Sequence, residues 1–412
     1  MTSPKILLAV CMAAACGYTG LASAQTAPAT PATAATVATP AIPGTLAAPA
    51  ATATPSLGAV LAATPGLSIT GYVAATYDHF NTSSTTLRAF DTTPNGFRLN
   101  QAAVTVAYLP SSGAGAQATL IAGSDAKILR NGEIPLCVTS AGTQGCSSSQ
   151  FDPMTAFVQY AVGSLTVMAG KFPALAGAEV INPAADTNIS RSILFWDMEP
   201  STLTGLRATY AVSGALTLTA GVDNGWNFTS SPANAAKTME LGVSGSPSKM
   251  FSYSGAYYRG QSPLYGGSAT GVLQLLDLVG TVNATSSLSF VGNVDILSKG
   301  DYLGAGTGTG HANGLALYAN YAINPMFMLS ARGEYIDDKN GIVTTNAGGV
   351  LPAGVLSNKL KELTLTLNYA CASNLKLSAE VRQDKSAAPV FTRNGSSTTR
   401  QTSLELQAVY SF

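Results

Sequence analysis

The chain has 412 residues, of which 21 are basic and 21 acidic. Charged residues make up 10% and hydrophobic residues 46%, with a mean hydropathy of +0.23, whereas an ordinary soluble domain is about 25% charged. This balance excludes a disordered chain, and zero net charge argues against a nucleic-acid partner. With two His and five Cys, we expect no cofactor and no metal or nucleophile chemistry.

The N-terminus reads as a targeting segment. Its apolar run, residues 6–17, is the longest in the chain but shorter than the roughly 18–20 residues that a membrane-spanning helix needs. Lys5 precedes the run, and small residues suited to cleavage follow it, Ala22, Ser23 and Ala24. We therefore predict a secretory signal peptide over residues 1–24.

Residues 25–66 are rich in Ala, Thr and Pro and carry neither charged nor aromatic residues. Repeated Pro disfavours both helix and sheet, because it removes backbone donors. We interpret this stretch as a disordered or extended periplasmic linker, with a cell-wall contact as the alternative.

From Leu67 onward, apolar and small polar residues alternate with a period of two, as in half-buried strands. Leu363, Leu365 and Leu367, for example, alternate with Thr and Asn. A soluble sandwich would carry many charges on its polar face, which here is mostly Thr, Ser, Asn and Gly. Sixteen segments show the pattern: 67–79, 97–109, 115–124, 154–163, 164–172, 202–212, 215–226, 237–246, 249–259, 270–282, 286–298, 312–323, 326–338, 360–371, 375–385 and 400–412.

Short and long connections alternate strictly between these segments. Gly163-Ser164 and Asn324-Pro325 are short joins, whereas the loop over 173–201 is long. A transmembrane barrel explains this alternation, because its periplasmic turns are short and its extracellular loops long. We predict an all-β fold, an antiparallel up-and-down barrel of about 16 strands over residues 67–412, with 14 or 18 strands as alternatives.

Two details refine the barrel prediction. In the second segment Phe97 and Leu99 lie out of phase with Val104 and Val106, so that strand needs a bulge. Aromatic residues gather near the short turns and predict an interfacial girdle: Tyr108, Tyr160, Tyr210, Phe251, Tyr253, Tyr321, Phe327, Tyr369, Tyr410 and Phe412. A second ring is expected near the long loops, at Tyr77, Trp226, Tyr257 and Tyr335.

Sixteen strands enclose an aqueous lumen. Strand parity predicts that seven charged residues face the lumen: Arg207, Glu240, Asp295, Arg332, Glu334, Glu380 and Arg382. They either shape permeation or merely pair with one another and keep the wall hydrated.

The loop over 173–201 is the candidate constriction. It holds more apolar residues than an exposed loop should, including Ile193, Leu194 and Phe195. Folded into the lumen, it would bury them and aim its charges into the pore, where charge sets solute preference. The predicted constriction residues are Lys171, Glu179, Asn182, Asn188 and Arg191; the alternative is an extracellular cap.

A family resemblance appears around this loop. It rests on Ala169-Gly170-Lys171-Phe172, Glu179-Val180-Ile181, Asn182-Pro183, Ser190-Arg191-Ser192 and Leu194-Phe195, and continues through Thr204-Gly205, Leu216-Thr217-Leu218-Thr219 and Asn224-Gly225-Trp226. These residues resemble the OmpL-like β-barrel porin family, over roughly 67–412 and most strongly over 165–226. The resemblance implies an outer-membrane channel for small solutes but no particular substrate. The Ala/Thr/Pro linker departs from the family pattern.

Three cysteines remain after signal cleavage. Cys137 and Cys146 share the second long loop, and a secreted context predicts a disulfide between them, with a metal pair as the alternative. Cys371 is left unpaired near a predicted periplasmic turn.

We expect a water-filled porin of the bacterial outer membrane for passive diffusion of small hydrophilic solutes and ions. A substrate-selective channel for sugars or small anions is the alternative, and a surface-binding or adhesive barrel is a weaker one. A barrel enzyme is disfavoured, because His79 and His311 read as plain loop residues. Expected partners are the lipid bilayer, lipopolysaccharide, the barrel-assembly machinery through the terminal Phe412, and other copies in a homotrimer.

Overall fold

The computed structural model describes residues 64–132, 149–228, 236–261, 271–302, 306 and 308–412. The predicted signal peptide, almost all of the linker and the predicted Cys137–Cys146 disulfide lie outside the described residues.

The strands confirm the predicted barrel. Sixteen of them form one closed antiparallel sheet, in which each strand pairs with the next along the barrel and β1 pairs with β18. The strands are β1 Leu67–Phe80, β2 Asn95–Tyr108, β3 Gly113–Ala122, β4 Phe151–Val162, β5 Leu165–Pro173, β6 Thr202–Ser213, β7 Leu216–Asp223, β8 Thr238–Ser248, β9 Phe251–Gln261, β10 Val272–Asn283, β11 Leu288–Gly300, β12 Thr309–Ala322, β13 Phe327–Asp338, β14 Asn358–Ala372, β15 Leu375–Ser386 and β18 Arg400–Ser411.

The long connections contain elements that the sequence pattern did not indicate. The last one holds a small hairpin, β16 Phe391–Arg393 with β17 Ser396–Thr398. Three short helices lie in other long connections: α1 Ser124–Gly132, α2 Ile193–Asp197 and α3 Ile342–Asn346. In the part of the chain that the structure describes, no helix combines the length and apolar character needed to cross a membrane.

The predicted bulge lies in β2. Gln101 faces Ala74 and Leu99 faces Ala75, so Asn100 is the extra residue. It restores the phase of the strand: Phe97 and Leu99 on one side of the bulge and Val104 on the other are all exposed on the outer face.

The two faces of the wall differ as expected of a membrane barrel. Apolar side chains such as Leu363 and Leu365 are exposed on the outside, while Thr364 and Thr366, which alternate with them, are buried inside. Most of the expected short-turn girdle is exposed at strand ends, for example Tyr160 and Tyr210. Trp226 departs from the expected second ring, because it packs against the inward-facing Tyr258 at 6.2 Å between ring centroids.

Cys371 was expected to be unpaired, and this is wrong: it is disulfide-bonded. The other four cysteines of the chain all lie outside the described residues.

Candidate functional site

The connection between β5 and β6, residues 174–201, contacts inward-facing side chains on opposite sides of the barrel. The backbone amide of Leu175 donates to the Tyr258 hydroxyl on β9 (2.8 Å), and that of Ala178 donates to Asn293 Oδ1 on β11 (3.0 Å). Across the lumen, Gln101 on β2 donates to the Ile181 carbonyl (3.0 Å). This segment, called the inner loop below, therefore crosses the barrel interior.

Apolar packing explains why the inner loop lies inside. Ile193, Leu194 and Met198 have no exposed surface and belong to one buried cluster with inward-facing residues such as Leu275 and Ile336. Burying side chains of this size contributes about 1.5–3 kcal/mol each. The excess of apolar residues noted in the sequence is thus accommodated against the barrel wall.

Wall carboxylates hold the inner loop by its backbone. Glu380 accepts from the amides of Ile189 (2.6 Å) and Ser190 (3.0 Å), and Glu334 accepts from those of Ile193 (2.9 Å) and Leu194 (3.2 Å). Hydrogen bonds to a charged acceptor are about twice as strong as neutral ones. Two of the seven predicted lumen-wall charges therefore anchor the loop by accepting from its backbone amides.

Glu179 and Arg332 join the loop to the wall through charge. Arg332 Nη1 lies 2.6 Å from Glu179 Oε1, and Arg332 Nε lies 3.1 Å from Glu362 and 3.9 Å from Glu334. Glu179 also accepts from the amide of Ser192 (2.6 Å). One arginine thus faces three carboxylates from two strands and the loop.

Arg382 extends this network along the wall. It pairs with Asp384 (2.8 Å), reaches Glu362 (3.8 Å) and donates to the Arg191 carbonyl (2.5 Å). Its sequence neighbour Glu380, two residues away, is occupied by the loop backbone instead.

A loop arginine that the sequence reasoning missed completes the network. Arg88, in the connection between β1 and β2, lies 2.8 Å from Asp384, 3.3 Å from Glu405 and 2.5 Å from Asp91. Strand parity could have identified Asp384 and Glu405 as inward residues. Nothing in the sequence indicated that Arg88 folds inward to meet them.

The Arg191 side chain contacts the inner loop to which it belongs. It donates to the carbonyls of Val180 (2.8 Å) and Ile181 (3.1 Å), and its Nη2 lies 2.9 Å from Asp186 Oδ2. Burial raises the pKa of Asp186 to about 7, and the nearby Arg191 limits the rise. Lys376 on β15 caps the same turn by donating to the Asp186 carbonyl (2.9 Å).

The two predicted asparagines shape the loop. Asn188 donates to the Thr366 hydroxyl on β14 (2.6 Å), and the side-chain oxygen of Asn182 accepts from the amide of Ala184 (2.8 Å). Asn188 therefore ties the loop to the wall, whereas Asn182 stabilises a local turn.

The remaining predicted residues lie elsewhere on the wall. Arg207 pairs with Glu240 through two 2.7 Å contacts and stacks over the Phe172 ring at 4.0 Å. Lys171 lies 3.4 Å from Asp152. Asp295 belongs to a separate cluster of carboxylates with Glu199 and Asp277.

The predicted constriction and wall residues are almost all buried. Of the twelve predicted constriction and wall residues, only Asn182 is not fully buried. The inner loop and its wall partners therefore pack into a layer whose charged groups scarcely contact solvent.

A family model matches most of the chain. Residues 66–412 match the family described as "Putative beta-barrel porin-2, OmpL-like". No curated protein matches the sequence.

Solved structures share the fold at low identity. OmpT of Vibrio cholerae in its trimer form is 10% identical with a TM-score of 0.56, over 84% of this chain and 99% of that chain. The outer membrane channel DcaP of Acinetobacter baumannii is 10% identical with a TM-score of 0.55, over 84% and 97%. The anion-selective porin from Comamonas acidovorans is 12% identical with a TM-score of 0.52, over 84% and 99%.

The closed barrel, its lipid-facing apolar surface and the match over residues 66–412 agree with one another. The chain belongs to the OmpL-like beta-barrel porin-2 family and is a porin of the bacterial outer membrane.

Proposed function

We propose that the protein forms a narrow water-filled channel for passive diffusion of small hydrophilic solutes and ions. The observation that carries this proposal is the inner loop, which crosses the lumen and is fastened to strands on opposite sides. A loop so placed restricts passage to whatever fits between it and the wall. As a member of a porin family, the protein is a channel rather than an enzyme.

Charge pairing supports weak selectivity. Two arginines at the constriction lie beside carboxylates: Arg332 of the wall beside Glu179, and Arg191 of the inner loop beside Asp186. Paired charges leave no strong field of one sign in the passage, so neither cations nor anions are strongly favoured.

A substrate-selective channel for a sugar or small anion is the second candidate. The close burial of the constriction residues favours it, because a tight passage discriminates by shape. One fold neighbour is named an anion-selective porin, but a likeness at 12% identity concerns the fold.

Planar-bilayer recording tests the proposal. We expect purified, folded protein to open ion-conducting pores whose unit conductance is small for a 16-stranded barrel. Reversal potentials in mixed salts give the charge preference, and liposome swelling with a panel of sugars and organic acids gives the size limit. Folded protein without conductance would refute both channel proposals, and swelling by one solute class alone would favour the selective channel.

A double variant tests the role of the inner loop. Glu179→Ala with Arg191→Ala removes one charge of each sign from the loop, and we expect altered conductance and reversal potential. The matched control is Asp337→Ala with Lys359→Ala, a pair in register on the outer face of β13 and β14. If both double variants conduct like the parent, the constriction does not lie at this loop.

We also propose the partners that a porin of this kind requires. The exposed apolar belt contacts lipid, and lipopolysaccharide surrounds the extracellular end. The terminal Phe412, exposed at the periplasmic end beside β1, is the residue through which the barrel-assembly machinery recognises the last strand. A homotrimer is the proposed assembly, since a fold neighbour is described in a trimer form.

A further inference from the structure

Three carboxylates meet at the end of the inner loop, apart from the arginine network. They are Glu199 of the loop, Asp277 of β10 and Asp295 of β11, and one oxygen from each lies within 4.8 Å of the others. Asp277 and Asp295 are partners across adjacent strands, and all three side chains are buried. We call these residues the carboxylate triad.

No cation in the described structure balances the triad. None of its members forms an ion pair with a basic side chain among the described residues, unlike Glu179, Glu240 or Glu362. A buried carboxylate without a counter-charge is costly, because its desolvation is not repaid.

The unpartnered side chain of Asp295 points to a ligand more directly. It has no exposed surface, and neither of its carboxylate oxygens has a hydrogen-bond donor among the described residues. Asp277 Oδ1 and Glu199 Oε1 are likewise unsatisfied. The neighbouring groups are the carboxylates of Asp277 and Glu199, which can donate a hydrogen bond only if they carry a proton.

The surroundings of the triad hold its carboxylates in place. The Asn293 side-chain amide donates to Asp277 Oδ2 (2.7 Å). Gly177 has a φ of +92°, and a Cβ at this position would collide with the Glu199 carboxylate. A glycine is therefore required for Glu199 to reach the two aspartates.

We propose that the carboxylate triad binds one Ca²⁺ ion that fastens the end of the inner loop to β10 and β11. All its ligands are hard oxygens, which Ca²⁺ prefers at about 2.3–2.6 Å. Oxygens on opposite sides of such an ion are roughly 5 Å apart, and those of the triad all lie within 4.8 Å of one another. Mg²⁺ demands near-ideal octahedral geometry and gives up its water reluctantly, so a buried set of three carboxylates suits it less well.

Calorimetric titration of the full chain tests the site without using conductance. Protein refolded in detergent, free of lipopolysaccharide and stripped with EDTA, is titrated with CaCl₂ and separately with MgCl₂. We expect one saturable Ca²⁺ per chain, with at least tenfold weaker binding in Asp295→Asn and in Asp277→Asn. These variants remove a buried negative charge while keeping its shape, so the barrel should fold, as heat-modifiable gel mobility will show.

The matched control is Asp384→Asn, which removes a buried inward carboxylate that is already paired with Arg88 and Arg382. It should bind Ca²⁺ like the parent. Ca²⁺ should also raise the melting temperature of the parent and of this control, but not that of Asp295→Asn. The proposal is overturned if the parent takes up no Ca²⁺, if Mg²⁺ binds more tightly, or if Asp295→Asn binds as the parent does or Asp384→Asn does not.

Discussion

Arg332 shows how single residues carry the charge balance of the lumen. It faces Glu179, Glu334 and Glu362, and it has almost no contact with solvent. Removing one member of a buried charge network leaves the others unpaired, which costs more than the pair itself contributes.

Arg332→Met should therefore destabilise the barrel by about 3–5 kcal/mol. The control is Lys361→Met, an exposed cation on the outer face near the Tyr335 ring, which should change stability by about 0.5 kcal/mol or less. Urea unfolding in detergent, followed by tryptophan fluorescence, measures both. Equal stability of the two variants would show that the Arg332 contacts contribute little.

Asp186 is expected to make ion preference depend on pH. With a pKa of about 7, it becomes protonated as pH falls from 8 to 6, leaving Arg191 without its counter-charge. The other charged or titratable groups facing it are Glu179 in the loop, Lys376 on β15 and Tyr72 on β1. The preference should therefore shift toward anions at low pH.

Reversal potentials measured at pH 8 and pH 6 check this shift. Asp186→Asn should show the more anion-preferring value at both pH values. Because burial favours the neutral form, this variant should not lose stability; in the parent, stability should decline as pH rises from about 4 toward 7. A shift of equal size in Asp186→Asn would assign the effect to another group.

Among the elements, α2 depends on a small residue in the facing strand. At Gly314 on β12, a Cβ would lie 2.8 Å from Leu194 Cδ1 and 2.9 Å from Met198 Sδ. The helix can therefore lie directly on the wall only because that position has no side chain.

Gly314→Val should push α2 and the inner loop away from β12. We expect a loss of about 1–3 kcal/mol in stability and a changed unit conductance. The control is Gly292→Val on the neighbouring β11, where a Cβ would meet only Leu317 at 3.6 Å. Urea unfolding and single-channel recording compare the two variants. Unchanged conductance in Gly314→Val would show that the contact between α2 and β12 does not affect permeation.

At the same scale, the sequence predicted the wall and an infolded loop, but not the contacts that fasten the loop to the wall. Period-two alternation in β14 and the phase change in β2 identified strands, faces and the presence of a bulge in β2, because these depend on neighbouring residues; the structure places that bulge at Asn100. The contacts of Arg88 with Glu405 and of Glu199 with Asp295 join distant segments through loop conformations. No local pattern encodes such conformations, so neither contact could be predicted.

The whole molecule depends on closing one seam between its first and last strands. Gly71 and Phe412 exchange two backbone hydrogen bonds of 2.9 Å at the end of the β1–β18 pair. Closure removes the last unpaired strand edges, which lipid cannot satisfy.

Phe412→Ala should lower the amount of heat-modifiable barrel in the outer membrane while leaving refolding in detergent nearly unchanged. That combination is expected if the ring is read by the assembly machinery rather than needed for closure. Ser411→Ala is the control. An equal loss in detergent refolding would place the role of Phe412 in the seam itself.

The fastening of the inner loop also has a mechanical consequence. Contacts that join opposite sides of a barrel resist its flattening, because flattening would break them. The inner loop forms hydrogen bonds to β2, β9, β11, β13 and β15 from within, so it links strands on opposite sides of the barrel. The cross-section should therefore stay round as bilayer tension changes, which keeps the width of the passage constant.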